Sequence, residues 1–249
     1  MDSGFYAACA GLRAQGVALE VSAHNLANLN TPGFRAQQTT FESLMAVSRP
    51  TVPNVLNLAT NNFGVLEGSH LDLTAGNFEA TGNPLDVAIE GAGFFAVQTA
   101  GGIRYTRNGS FRVSSGGQLV TGEGDLVLSD PALGAKGAIS IPAGKISIAG
   151  DGTISVGGAV AGTIRLMEFP AGTKLVSEGG TLLSAPEGSA VPATQSEVKQ
   201  GSLESSNVNS IASVVTLIGV QRQAEMLQRA MSLFDTEFNR IASTDLAKV

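Results

Sequence analysis

Apolar residues recur in alternating steps of three and four at both ends of the chain. Near the N-terminus the positions are Phe5, Ala8, Leu12, Gln15, Leu19, Ser22, Leu26 and Leu29. Near the C-terminus they are Leu217, Val220, Ala224, Leu227, Met231, Phe234, Phe238 and Ile241. This is the a/d spacing of a coiled coil, so the pattern predicts two long helices that pair with each other and with neighbouring copies. The first reads from residue 3 to about 29, where Pro32 and Gly33 stop it. The second starts near Ser210, with Asn207 or Asn209 as cap, and runs to about Thr244. Its length of roughly 35 residues corresponds to about 50 Å at about 1.5 Å per residue. Gln15 and Ser22 interrupt the first seam. An isolated pair of ends is therefore expected to be weak and to order only when neighbours complete the interface.

Between the helices the period changes to two. Leu85, Val87 and Ile89 alternate with Asp86, Ala88 and Glu90, and Phe95 and Val97 follow Gly91-Ala92-Gly93. Asn108-Gly109 before Phe111 and Val113 predicts one hairpin, and Asp151-Gly152 between Ile148 and Ile154 predicts another. Gly122–Asp125 predicts a third turn, between Leu119-Val120 and Leu126–Leu128. The expected fold class is α+β: long N- and C-terminal helices pairing as a coiled coil, with a central antiparallel all-β region. The expected domains are 1–35 together with 205–249 as the helical part, 36–80 together with 170–204 as a connecting β or irregular segment, and 81–169 as the central β domain.

Composition changes the picture mainly by exclusion. The chain has 249 residues, and its 31 Gly against 5% aromatics suit short strands joined by turns. The net charge is −6 and the cations are scattered, which argues against nucleic acid and against an anionic membrane surface as partners. No apolar run approaches the roughly 18 residues of a membrane helix, and no cleavable export signal is visible at Met1-Asp2-Ser3-Gly4. Those rules alone point to the cytoplasm. Cys9 excludes an internal disulfide and reads as a small residue in a packed helix. His24 and His70 form no visible pair, so no catalytic, cofactor or metal site is expected. Gly91-Ala92-Gly93 and Gly122–Asp125 read as turns rather than as a dinucleotide loop or a calcium loop.

The segment from His24 to Arg35 carries Asn25, Asn28 and Asn30. Asn25 and Asn28 share a helix face with Leu26. They read either as the polar end of a helix or as a hydrogen-bonding strip that sets register between packed subunits. Asn25–Arg35 resembles the signature of bacterial flagellar axial proteins of the rod and hook. Asn83–Phe95 and Tyr105–Phe111 resemble that family's central motifs, and Gln200–Asn209 and Gln221–Met226 its C-terminal ones.

The resemblance implies a structural subunit of the flagellar basal-body rod, with no enzymatic activity and no cofactor. It implies helical assembly into the axial shaft in the periplasm and passage through the flagellar type III export apparatus without a cleaved signal, which replaces the cytoplasmic expectation. The implied partners are copies of itself, other rod and hook proteins and the export apparatus, without direct membrane insertion. The implied assembly contacts are Phe5, Leu12, Leu19, Leu26, Asn25, Asn28, Leu217, Leu227, Phe234 and Phe238. Phe41 and Met45 resemble the family's export-gate motif; they also read as an i, i+4 core pair on a short helix. Thr31–Gln37 resembles the proximal rod protein, whereas Phe41–Leu44 and Glu204–Asn209 resemble the distal one. A hook-like axial protein, or a carbohydrate-binding β module with helical arms, are the competing readings.

Overall fold

The structure is a computed structural model that describes residues 2–43, 64–131 and 137–246. The chain divides into two compact units, one of Met1–Ala27, Gln37–His70 and Asn209–Val249, the other of Asn28–Ala36 and Leu71–Val208.

The second unit holds the apolar core. Its main sheet has nine strands. The longest path runs through Val176–Ser177, Leu183–Ser184, Gly102–Thr106, Phe94–Thr99, Leu126–Val127, Leu119–Thr121 and Phe111–Val113, all antiparallel. Leu166–Glu168 adds to this sheet beside Phe94–Thr99 and pairs with Val191–Pro192. The strands are short, and the alternation of the sequence fills one interior with Val87, Ile89, Phe95, Val97, Phe111 and Leu119. Phe95 and Phe111 meet edge to face at 5.0 Å, a favoured aromatic geometry.

Ile146–Ile148, Thr153–Val156 and Ala159–Thr163 form a separate three-stranded sheet. Its first hairpin pairs Ile146 with Val156 and Ile148 with Ile154, as the Asp151-Gly152 turn predicts. Gly152 sits at φ 83, and Asp151 Oδ1 accepts the Thr153 N–H at 2.9 Å. That bond to the ionised form holds the Asp151 carboxyl below its ordinary pKa. The Leu119–Leu126 turn also closes as an antiparallel pair, through Val120 opposite Leu126.

The Asn108-Gly109 hairpin does not form. Gly102–Thr106 pairs with Phe94–Thr99 and Leu183–Ser184, while Phe111–Val113 pairs with Leu119–Thr121. Gly109 instead lets two backbones touch. A Cβ there would lie 1.7 Å from the Val87 carbonyl oxygen, and the Gly109 carbonyl accepts the Val87 N–H at 3.0 Å. The glycine is required for close approach rather than for a primed turn.

In the first unit, helix α1 spans Asp2–Ala27 and helix α2 spans Ser210–Leu246, and Gln37–Ser43 pairs with Gly64–Leu71. Asn209 caps α2: its Oδ1 accepts the Ala212 N–H at 3.0 Å. The helices meet, but not as the expected coiled coil, which corrects the fold class. A coiled coil buries large a and d knobs in holes of the partner. Here the buried side chains described on α1 are Ala14, Ala18 and Ser22, whereas Leu19 is 37% exposed and Leu12 and Leu26 are half-buried. Gly11 faces Leu227, whose Cδ1 would stand 3.5 Å from a Cβ at that glycine. The contact face is thus Gly11, Ala14, Ala18 and Ser22, in steps of three and four that begin one residue ahead of Leu12. One residue is about 100° around a helix of about 3.6 residues per turn, so the leucines flank the contact instead of filling it. On α2 none of the described side chains is buried.

Candidate functional site

Three chain segments converge within the β-rich unit: residues 28–36 just after α1, residues 71–77, and residues 201–208 just before α2. Their meeting point is organised by backbone first. The Gly33 N–H donates to the Glu204 carbonyl at 2.7 Å, and the Asp72 N–H to the Ala36 carbonyl at 2.8 Å. Gly33 has φ 69, and a Cβ there would lie 2.3 Å from the Arg107 carbonyl carbon, so both conformation and space demand glycine. The following residue, Phe34, is fully buried.

Asn207 ties the three segments with one side chain. Its Oδ1 accepts the Ala36 N–H at 2.7 Å, and its Nδ2 donates to the Asp72 and Thr74 carbonyls at 2.9 and 3.0 Å. An amide suits this place because it offers donor and acceptor at once without a charge to bury.

Below it lies a buried charge cluster. The side chains of Arg35, Arg107 and Glu204 are 2%, 4% and 0% exposed. Arg35 Nη2 stands 2.7 Å from Glu204 Oε1, an ion contact without hydrogen-bond alignment, and Arg107 Nη1 donates to Glu204 Oε2 at 3.2 Å. Glu204 Oε1 also accepts the Gly76 N–H at 2.9 Å. The guanidiniums reach outward to carbonyls: Arg35 Nη1 to Thr74 at 2.8 Å, Arg107 Nη1 to Ile89 at 3.2 Å and Nη2 to Gly91 at 2.6 Å. One carboxylate therefore serves two guanidiniums. Burial pushes Arg107 down to about 10; Glu204 opposes that shift and Arg35 adds to it. Such a cluster fixes geometry, because each group is costly to bury unless all stand in place.

The sequence signals did not reveal this cluster. Glu204 and Arg107 are 97 residues apart, and each sits among mostly polar residues: Arg107 between Thr106 and Asn108 in a stretch that reads as a turn, Glu204 between Leu203 and Ser205 in the lead-in to the C-terminal helix. Polar neighbours give neither charge a local sign of burial, so only the fold shows that they pair.

The expected assembly residues divide. Asn25 turns onto its own unit: its Nδ2 donates to the Gln37 carbonyl at 2.8 Å and its Oδ1 accepts the Gln37 N–H at 2.9 Å. Asn28 Oδ1 accepts the Thr31 hydroxyl at 3.2 Å. Both thus shape the end of α1. Leu12, Leu26, Leu217 and Leu227 are half-buried on the helices and Leu19 is exposed. The side chains of Phe5, Phe41, Phe234 and Phe238 and all of Met45 lie outside the described residues; the backbone of Phe41 is in strand Gln37–Ser43, not in a short helix. Among the described residues no group of three or more His, Cys, Asp and Glu could hold a metal ion, and no helix is long and apolar enough to cross a membrane.

Known proteins match the chain at both ends and in the middle. Residues 5–35 match the family described as flagella basal body rod protein, residues 88–156 the flagellar hook protein FlgE/F/G D1 domain, and residues 199–243 the flagellar basal body rod FlgEFG protein C-terminal region. The flagellar basal-body rod protein FlgF of Escherichia coli (strain K12) is 34% identical, with 88% of this chain and 89% of that protein covered. FlgF of Caulobacter vibrioides is 32% identical, with 93% and 92% covered. The rod protein FlgG of Buchnera aphidicola subsp. Acyrthosiphon pisum is 33% identical, with 93% and 95% covered. The anchored segments around Gly33, Arg107 and Glu204 all fall in the matched regions, and the chain belongs to the family of flagellar basal-body rod proteins.

Proposed function

We propose that this structural rod subunit assembles with copies of itself and with other rod and hook proteins into the axial shaft of the basal body, through contacts made by residues 1–35 together with 205–249. The observation that carries the reading is the second face of α2. Leu217, Val220, Ala224, Leu227 and Met231 form its half-buried side. Ile211, Val214, Val215 and Ile218 lie on the opposite side in steps of three and one, and Ile211 and Val215 are 78% and 64% exposed. A helix apolar on both faces needs cover on both, and a contiguous exposed apolar patch marks an interaction surface. The exposed Leu19 on α1 belongs to the same demand for neighbours. The reading includes no catalytic step: its chemistry is burial of apolar area at about 25 cal/mol per Å², repeated at every subunit.

The test is Val215→Asp. Its monomer should unfold as wild type does, since the side chain is exposed, while assembly and the rescue of motility in a deletion strain should be lost. Wild-type assembly by that variant would sink the reading. Export through the type III apparatus by way of Phe41 and Met45 is part of the proposal, and Phe41→Ala should then block secretion of a chain that still folds. Within the rod we assign the proximal segment, on the resemblance of Thr31–Gln37. Loss of only the distal rod on deletion would move the assignment there.

A further inference from the structure

The two helices of the first unit carry a second pair of stripes, on the sides turned away from their contact. On α1, Arg13, Gly16, Glu20, Ala23 and Ala27 lie half a turn from the face of Gly11, Ala14, Ala18 and Ser22, and all five are exposed. On α2, Ile211, Val215, Ile218, Arg222 and Met226 lie half a turn from Leu217, Val220, Ala224 and Leu227, and all five are exposed. Both stripes run in steps of three and four, the spacing with which one helix seats on another.

The stripes are complementary in bulk and in charge. The α2 stripe is large and apolar, and the α1 stripe is small between its charges. Gly16 has open space where a Cβ would stand. No contact among the described residues calls for a glycine there, although glycine weakens a helix interior relative to alanine. Arg13 and Glu20 stand on one stripe, Arg222 on the other with Glu225 at its edge. None of the four takes part in an ion pair among the described residues.

We infer, on the assembly reading above, that the outer face of α2 docks on the outer face of α1 of a second copy, running antiparallel to it. Gly33 bonds Glu204 and Gly11 faces Leu227, so α1 and α2 of one chain run antiparallel. Copies related by a screw operation keep one direction, so α1 of one meets α2 of the next in that same sense. Charge then selects the register. With Arg13 opposite Glu225, Arg222 crosses Gly16 and reaches Glu20 one turn away, about 6 Å at about 1.5 Å per residue. Val215 then seats on Ala23 and Ile211 on Ala27. Sliding Glu20 directly opposite Arg222 would instead set Arg13 against Arg229. Because the two faces differ, the contact is heterologous and repeats from copy to copy instead of closing on a dimer.

The test is charge reversal on the full chain, read by sedimentation velocity. Glu20→Arg and Arg222→Glu each set like charges together and should lower self-association by at least about tenfold. Both side chains are exposed, so the thermal midpoints should stay at the wild-type value. Mixed in equal amounts, the two variants should regain wild-type association to within about threefold, since the new cation of one meets the new anion of the other. A pair formed within one chain could not be rescued by mixing. Gly16→Leu should leave the monomer no less stable, because leucine is the better helix former. It should still lower association by at least about tenfold, because its side chain fills the crossing point of Arg222. Single variants that associate like wild type, a mixture no stronger than its components, or a wild-type chain that does not self-associate overturns the pairing. Val215→Asp separates the two claims: association lost there but intact in both charge reversals keeps the assembly reading and overturns this pairing, whereas association intact in Val215→Asp overturns both.

Discussion

Replacing Glu204 by glutamine removes the single negative charge between Arg35 and Arg107 while keeping size and shape. The new amide carbonyl can still accept the Gly76 N–H now bonded at 2.9 Å. Its NH₂ group then faces a guanidinium, donor against donor, and the ion contacts at 2.7 and 3.2 Å are lost. Breaking a buried ion cluster by removing one partner costs about 3–5 kcal/mol. Urea unfolding of the full chain, followed by far-UV circular dichroism, should show this. At a slope of about 3 kcal/mol per M, the midpoint of the β-rich unit should fall by about 1–2 M. The pH dependence has a definite sign. With Arg107 lowered to about 10 in the folded chain and ordinary when unfolded, the unfolded state binds more protons between the two values, so this group makes stability rise with pH in that window. Without Glu204, the main influence that raises Arg107 is gone, and the window opens at lower pH. The gap between variant and wild type should therefore be wider at pH 7 than at pH 10. A variant within about 1 kcal/mol of wild type, with a pH-independent gap, would refute the claim that the cluster is held by its charges.

Asn207→Ala should cost about 2–4 kcal/mol in the same urea assay, since it leaves the Ala36 N–H and two carbonyls without their partner. Gly109→Ala should cost more than about 4 kcal/mol or prevent folding, because the Val87 carbonyl occupies the space of the new methyl. Leu19→Ala should change monomer stability by no more than about 1 kcal/mol, against about 2–5 for a buried leucine. Ala18→Leu should cost about 1–3 kcal/mol by overfilling the small face of α1.

What was legible in the sequence was local. The Ile146–Val156 hairpin and the Leu119–Leu126 turn could be read because both partners and their turn lie within a dozen residues or so, and alternation there has only one competing register. The cap of α2 was legible for the same reason, although Asn207, the other candidate, bridges three segments instead. The coiled-coil spacing misleads because two periodic columns lie one residue apart on α1. Leu12, Leu19 and Leu26 dominate any count of apolar positions, yet Gly11, Ala14, Ala18 and Ser22 allow the closer approach. Ser22, which looks like a defect in the first column, is a member of the second. Asn108-Gly109 carries the composition of a hairpin turn but serves a long-range backbone contact with Val87. The charge cluster joins residues from three distant motifs, and no local period encodes that pairing.

The most direct test of the account as a whole is electron microscopy of basal bodies purified from the source bacterium with this chain deleted. The account predicts non-motile cells whose basal bodies lack a rod segment, restored by the wild-type chain and not by Val215→Asp. Complete rods and hooks with normal motility in the deletion strain would contradict it.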